Sequence, residues 1–517
     1  MTAGLSPPLA EPETPAAAGP ATWQAQGRRL TPVKRWLKGH PAWPVTALLA
    51  AYPLWWALGI AEYAWILFAV PAAIRMYGWH LSGARKVRVP PGFAMWLLFL
   101  LWTAASVVTL NLHAPGTLDS SVTNRLIAFV VRGVTYLAVT VLLLFVGNLA
   151  EDELPKRKLA WLLGLLGIYT AVLGVAGIVM PTFEFSSPVL HVLPHRLQNN
   201  AFIQAQMHPA LTQLQNVFGQ TTQQGRPKAP FPYTNTWGEC LTLTIPWLLV
   251  VWRTAERRGW TRFVTWITVP LAVVALVYSL NRGAWIGAAF SIAYLAVRLA
   301  LRGRVGLIAG LTGLVIVMGV VTLLSPLATV ISLRLHNGGS NDIRTQLFAL
   351  AMKDGLASPI LGFGDTRQQV GSVNSIAIGP SPQCPICGHA EVGSTGQFSL
   401  VLICTGFVGV FFFFGFFAYL AWRYRRDPTL YGWVGLLIIL LSFIYMFFYD
   451  ALAAPLGITM LCCGLLWRLD RERTEQRLSG YGGDRHPGRD QIPRPLALAS
   501  RTIAGAETNP AATATAR

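Results

Sequence analysis

The residues able to do chemistry in this chain gather in a few short stretches. SLNRGAWIG, from Ser279, carries a lone arginine, Arg282, at the edge of apolar runs. A charge in such a place snorkels to water, pairs, or meets a ligand. As a ligand site it would take an anion, because a guanidinium presents a fork of donors that matches phosphate. RPKAPFPYTNTWGECLTLTIPW adds Arg226 and Lys228, then Asn235 and Glu239. Asn235 is placed to cap the helix that starts there. Glu239 lies about a turn further in, as a functional carboxylate or as the partner of a neighbouring arginine. In LRLHNGGSNDIRTQLFALAMKDGLASPILGFG the apolar residues Leu347, Leu350, Ala351 and Leu356 have helical spacing, with Asn341 or Asp342 as cap and Pro359 as stop. Arg344 then falls in the first turn, where the helix dipole opposes a cation. Either an anionic partner or exposure to water accounts for that.

Proton-moving groups are few. His336, His389 and Glu391 occupy the same region, and histidine titrates closest to neutrality. Cys384 and Cys387, in CPICGH, are read as a local disulfide or free thiols. A zinc half-site with His389 lacks a second pair of ligands nearby, so no metal is expected. The stretch GSTGQFSLVLICTGFVGVFFFF begins with a small-residue turn at Gly393 and runs into an apolar helix that carries Gly406 and Gly409.

The elements that must position these residues are membrane helices. With 53% hydrophobic and 12% charged residues, the chain is far from the roughly 25% charge of a soluble domain. Its charges lie between apolar runs of about 17 to 25 residues, the length that spans a bilayer as a helix. Twelve spans are expected, at 42–60, 62–76, 91–111, 127–149, 159–180, 237–252, 263–280, 283–301, 305–324, 397–421, 430–448 and 450–467. The fold class is all-α, a polytopic membrane protein.

Basic clusters precede the first span and follow the second (Arg85, Lys86, Arg88), fourth (Lys156, Arg157, Lys158), sixth (Arg253, Arg257, Arg258, Arg262), eighth (Arg298, Arg302, Arg304), tenth (Arg423, Arg425, Arg426) and twelfth (Arg468, Arg471, Arg473). All fall on one side, which the positive-inside rule assigns to the cytoplasm, together with both terminal tails, 1–41 and 468–517. The net charge of +19 thus reports orientation and contact with anionic membrane lipids, and nucleic acid is not expected as a partner. The tails are rich in Ala, Pro, Gly and polar residues and are expected to be disordered. No cleavable signal peptide is expected. Two long segments, 181–236 and 325–396, lie on the extracytoplasmic side, and loops of that length are usually functional or disordered.

Taken in order, these features resemble the O-antigen ligase/polymerase family of bacterial membrane glycosyltransferases. The resemblance rests on about a dozen spans with a large outer loop before the tenth, on Tyr233, Asn235 and Gly238 at the entry to the sixth, on Asn281-Arg282-Gly283, and on Arg344…Pro359…Gly362-Phe363-Gly364. It covers roughly 125–450 and implies a GT-C-like, metal-independent inverting transferase without a cofactor, in the cytoplasmic membrane with its active face outward. Such an enzyme moves a glycan from a polyprenyl-diphosphate carrier to an acceptor hydroxyl on a glycan, a lipid or a wall polymer. Arg282, and more loosely Arg226, with Arg344 and Lys228 on the same side, would hold the diphosphate, whose leaving charge has little water to solvate it. The family pattern places His-Asn nine residues ahead of Gly-x-x-Gly. Here Gly406-Phe407-Val408-Gly409 is present and Thr395-Gly396 stands where His-Asn would be. His389 or Glu391 could then supply the base. Alternatively, ionisation of the leaving group dominates and Thr395 or Gln397 only orients the acceptor, or transfer activity has been lost. A transporter of lipid-linked sugar and a non-catalytic scaffold are the alternatives in other classes.

Overall fold

The structure is a computed structural model, which describes residues 39–118, 121–198, 201–216, 223–254, 258–304, 306, 308–310, 312–313, 339–368 and 391–483. It is mostly helical. Among the described residues, five helices are long and apolar enough to cross a membrane: Val122–Asn148, Lys156–Val179, Gly259–Tyr278, Arg282–Ala300 and Gln397–Tyr424. The helices used below are α1 (Trp43–Ala50), α2 (Tyr52–Ala57), α3 (Ala61–Leu81), α4 (Phe93–Ala105), α5 (Val122–Asn148), α6 (Lys156–Val179), α7 (His195–Gln198), α8 (Ala201–Met207), α9 (Thr234–Thr244), α10 (Pro246–Thr254), α11 (Arg258–Tyr278), α12 (Arg282–Ala300), α13 (Gly339–Ala357), α14 (Gln397–Tyr424), α15 (Leu430–Tyr445) and α16 (Ala454–Gly483).

Several expected spans take a different form. The run 42–60 is two short helices, α1 and α2, with Pro53 in the first turn of the second. The run 237–252 is also divided, α9 ending at Thr244 and α10 starting at Pro246, which has no N–H to continue the ladder. At the C-terminal side, α16 continues to Gly483, past the expected start of a disordered tail at 468. Contacts cluster Met1–Leu469 as one unit and Asp470–Arg517 as another. Within the second, Asp470 to Gly483 is helical. Most of the ninth span, 305–324, lies outside the described residues.

The bundle closes where small residues let helices approach. Gly164 and Gly174 of α6 sit under Leu248 and Trp237, where a Cβ would come within 2.8 and 2.6 Å of those side chains. The Trp237 indole in turn donates to the Thr170 carbonyl at 3.0 Å. An aromatic cluster of Trp96, Phe99, Tyr136, Phe413, Phe416 and Phe417 joins α4, α5 and α14.

The two long segments between helices contain more than helix among their described residues. Strands β1 (Thr212–Asn216) and β2 (Gln223–Pro227) pair antiparallel, as do β3 (Arg367–Gln368) and β4 (Glu391–Val392). Helix α13 is seated through Leu347 and Ala351 on Phe363, Leu400, Ile403 and Cys404. It starts at Gly339, so Asn341 and Asp342 lie inside it and not at its cap.

Candidate functional site

Helix α14 is where the segment 339–396 is fastened to the bundle through its described residues 339–368 and 391–396. Its first two N–H groups, on Gln397 and Phe398, have no helical partner, and they donate to the carbonyls of Tyr449 (2.9 Å) and Met446 (2.8 Å). The Gln397 side chain is fully buried. It donates to the Tyr136 hydroxyl (2.8 Å) and accepts from the Ala451 amide (3.1 Å), so it clamps three elements and is spent on the fold. Thr395, also buried, donates to Ser399 at 3.1 Å. At Gly396 a Cβ would stand 2.8 Å from the Phe447 carbonyl carbon, so no side chain fits there.

Nine residues on, the helix breaks. Gly406 has φ +67° and ψ −172°, and a Cβ there would come 2.5 Å from the Pro359 carbonyl oxygen. The Pro359–Gly364 segment fills the break. Phe363 and Gly364 donate to the orphaned carbonyls of Ile403 (2.7 Å) and Cys404 (3.0 Å), and the freed Phe407 amide donates to Pro359 (2.8 Å). An ion pair between Arg132 and Asp365, 2.7 Å and buried on both sides, holds the segment on α5. The two motifs read separately in the sequence are therefore one joint.

Two of the cations, Arg344 and Arg226, come together at Tyr449 beside that joint. Asn281 caps α12 by accepting from the Ala284 amide (3.2 Å), and its amide group donates to the Thr234 carbonyl (3.1 Å), tying α12 to the start of α9. Its oxygen also accepts from the Tyr449 hydroxyl. Gly283 and Gly287 have no side chain because the Tyr449 and Tyr445 hydroxyls occupy that space. Arg282, half-buried, stands between Asn281 and Gly283. Arg344 reaches in from α13, its guanidinium carbon 5.8 Å from the Tyr449 ring centre. Arg226 donates to the Ser279 carbonyl at 2.8 Å. Burial pushes the Tyr449 hydroxyl up, and both Arg344 and Arg226 act against that rise, which places both charges near it. Lys228 lines a small cleft with Trp56, His208 and Phe231, and burial pushes its ammonium down.

Carboxylates face the same turn. Asp450 follows Tyr449 in the segment between α15 and α16, outside the helix expected to begin at 450. It is half-buried, and its Oδ1 has no hydrogen-bond partner among the described residues. Burial, with a further push from Glu391 and opposition from Arg132, raises it to about 7. Glu391, exposed on β4, accepts from the Thr366 hydroxyl at 3.3 Å. Both carboxylates also act on Tyr233, just ahead of α9. Asp450 and Tyr449 were missed in the sequence because they sit in one nearly unbroken apolar run. The available signal is a Tyr-Asp pair in the turn between α15 and α16.

Two expected roles change. Asn235 is inside α9 and not its cap. The N-cap position is Tyr233, and the Thr234 amide instead donates weakly to Gln213 at 3.4 Å. Glu239 is fully buried with both oxygens unpartnered among the described residues, so no arginine pairs with it. It acts electrostatically on Tyr445 and Tyr449. His336, His389, Cys384 and Cys387 lie outside the described residues. Among the described residues no group of three His, Cys, Asp or Glu could hold a metal. Scans against protein-family models and against curated proteins find no match.

Proposed function

We propose that this chain is a membrane glycosyltransferase of the O-antigen ligase/polymerase type, with a GT-C-like architecture of about twelve spans in the cytoplasmic membrane. It moves a glycan from a polyprenyl-diphosphate carrier to an acceptor hydroxyl on the outer face. The observation that carries this reading is the approach of Arg226 and Arg344 to Tyr449, whose hydroxyl fills the space at Gly283 next to Arg282, with Asp450 the following residue and Glu391 acting on it. The arginines hold the diphosphate and offset the charge that grows on it as the sugar–phosphate bond breaks. The acceptor oxygen attacks the anomeric carbon from the opposite face and loses its proton to a carboxylate, while the electron pair of the broken bond leaves on the carrier diphosphate. Asp450 takes the role of base beside Glu391, since Thr395 and Gln397 are buried and bonded within the fold.

The test is glycan transfer by purified protein in lipid nanodiscs. Arg282→Ala and Arg344→Ala are each expected to lower the transfer rate by about 10²-fold or more, the scale of losing one charge-stabilising group. Full rates in both would remove the diphosphate site. One observation favours a transporter instead: Glu239, an unpartnered carboxylate inside the bundle, is what a proton-coupled carrier would need. Glu239→Gln separates the readings. Transfer by the enzyme should survive it, whereas coupled transport should not.

A further inference from the structure

At the end of α12 opposite Arg282, three guanidinium groups collect against the segment joining α14 to α15. Arg298 donates from Nε to the Tyr294 hydroxyl (3.0 Å) and from Nη2 to the Arg425 carbonyl (3.0 Å). Arg302, one turn on, donates to the Pro428 carbonyl (2.6 Å) and lies 3.9 Å over the Trp433 ring, which Arg298 also approaches at 5.5 Å. Arg425 stacks 3.4 Å over Trp422, an exposed ring.

Every partner here is a carbonyl, a hydroxyl or an aromatic face. No carboxylate pairs with Arg298, Arg302 or Arg425 among the described residues. Carbonyl and ring contacts tie α12 to the α14–α15 segment but bring no counter-charge. The carboxylate of that segment, Asp427, is buried and accepts from the Thr429 amide (2.9 Å) and hydroxyl (2.8 Å) without pairing with Arg298, Arg302 or Arg425. Like charges at such spacing repel unless a counter-charge is present. Each guanidinium has five donors, and these contacts use only one or two. The stacking on Trp422, Trp433 and Tyr294 holds the planes in place, so binding an anion would order little that is not already ordered. Beside them Val297 and Leu301 expose large apolar surface.

We propose that this patch binds an anionic phospholipid, with the headgroup phosphate between Arg302 and Arg425 and an acyl chain along Val297 and Leu301. Basic pockets between membrane helices at one bilayer surface have the right charge for such headgroups. The site is independent of the glycan chemistry at the other end of α12.

The experiment is native mass spectrometry of the full chain after addition of phosphatidylglycerol, phosphatidylcholine or inorganic phosphate. The wild type should retain phosphatidylglycerol over phosphatidylcholine, and millimolar inorganic phosphate should not displace it. The double variant Arg302→Gln, Arg425→Gln keeps the Arg298 side chain and should bind phosphatidylglycerol about fivefold more weakly for each guanidinium lost. Should that variant be polydisperse, a salt series on the wild type decides, because retention of the anionic lipid alone must fall as salt rises. Equal retention of both lipids, unchanged affinity in the double variant, or full displacement by phosphate (a free-anion site) would each overturn the proposal.

Discussion

Asp450 shows how a single side chain can be set for proton transfer by its surroundings. Burial disfavours its charged form, and the Glu391 charge adds to that, so the carboxyl stands near 7 instead of in the usual carboxylate range. A base must be unprotonated to accept a proton. Transfer should therefore rise with pH up to about 7 and then level off. Asp450→Asn is expected to remove that limb and lower the rate about 10²- to 10⁴-fold. Glu391→Gln takes away a like charge, which lowers the Asp450 value and moves the limb to lower pH. A pH–rate profile of the three proteins checks this, and an unaltered limb in Asp450→Asn would exclude it as the base. Nothing in the bare sequence set Asp450 apart, because its character depends on a strand, β4, almost sixty residues upstream.

At the scale of elements, the break in α14 gives Gly406 of that stretch a structural role. At 28 residues the helix would be about 42 Å long, well beyond a hydrocarbon core of about 30 Å. Beyond Gly406, Phe407–Tyr424 alone covers about 27 Å. The long apolar runs made the helices legible in the sequence, and Pro53 and Pro246 mark two of the interruptions. The joint between Pro359–Gly364 and Ile403–Phe407 was not legible, since it consists of hydrogen bonds between segments some forty residues apart that have no shared periodicity. Gly406→Ala forces an L residue into left-handed backbone and drives its Cβ at the Pro359 carbonyl, a cost of about 2–5 kcal/mol. It should lower the thermal midpoint and abolish transfer together. Gly409→Ala would drive its Cβ against the Thr405 Cβ, which no rotamer moves, so the helix must shift there too, but without the left-handed backbone it should cost less than Gly406→Ala. Equal midpoints for the two variants would show that the break is not what the glycine serves.

Across the whole molecule, the contacts sort the linkers into two sets. Arg85 pairs with Glu153 (2.7 Å), Arg468 with Glu151 (3.2 Å), and Arg298 bonds the Arg425 carbonyl, so linkers that carry positive clusters meet one another. The other set joins Asn281 to Thr234, Arg226 to Ser279 and Leu118 to Gln368, and it contains the candidate site. The alternation of basic clusters along the sequence predicts that the two sets lie on opposite faces of the membrane. It follows that residues of the two sets should differ in access from outside the cell. Cys240, Cys404, Cys462 and Cys463 are all buried, so only Cys384 and Cys387 need replacing by serine to give a quiet background. In that background Ser394→Cys, exposed beside Glu391, should react with a membrane-impermeant maleimide on intact spheroplasts. Arg302→Cys, exposed at the far end of α12, should react only after the membrane is opened. Labelling of Arg302→Cys alone from outside would reverse the orientation and put the arginine–carboxylate site on the side where a carrier bearing an exported glycan does not present it, and labelling of both would show that the two sets do not lie on opposite faces.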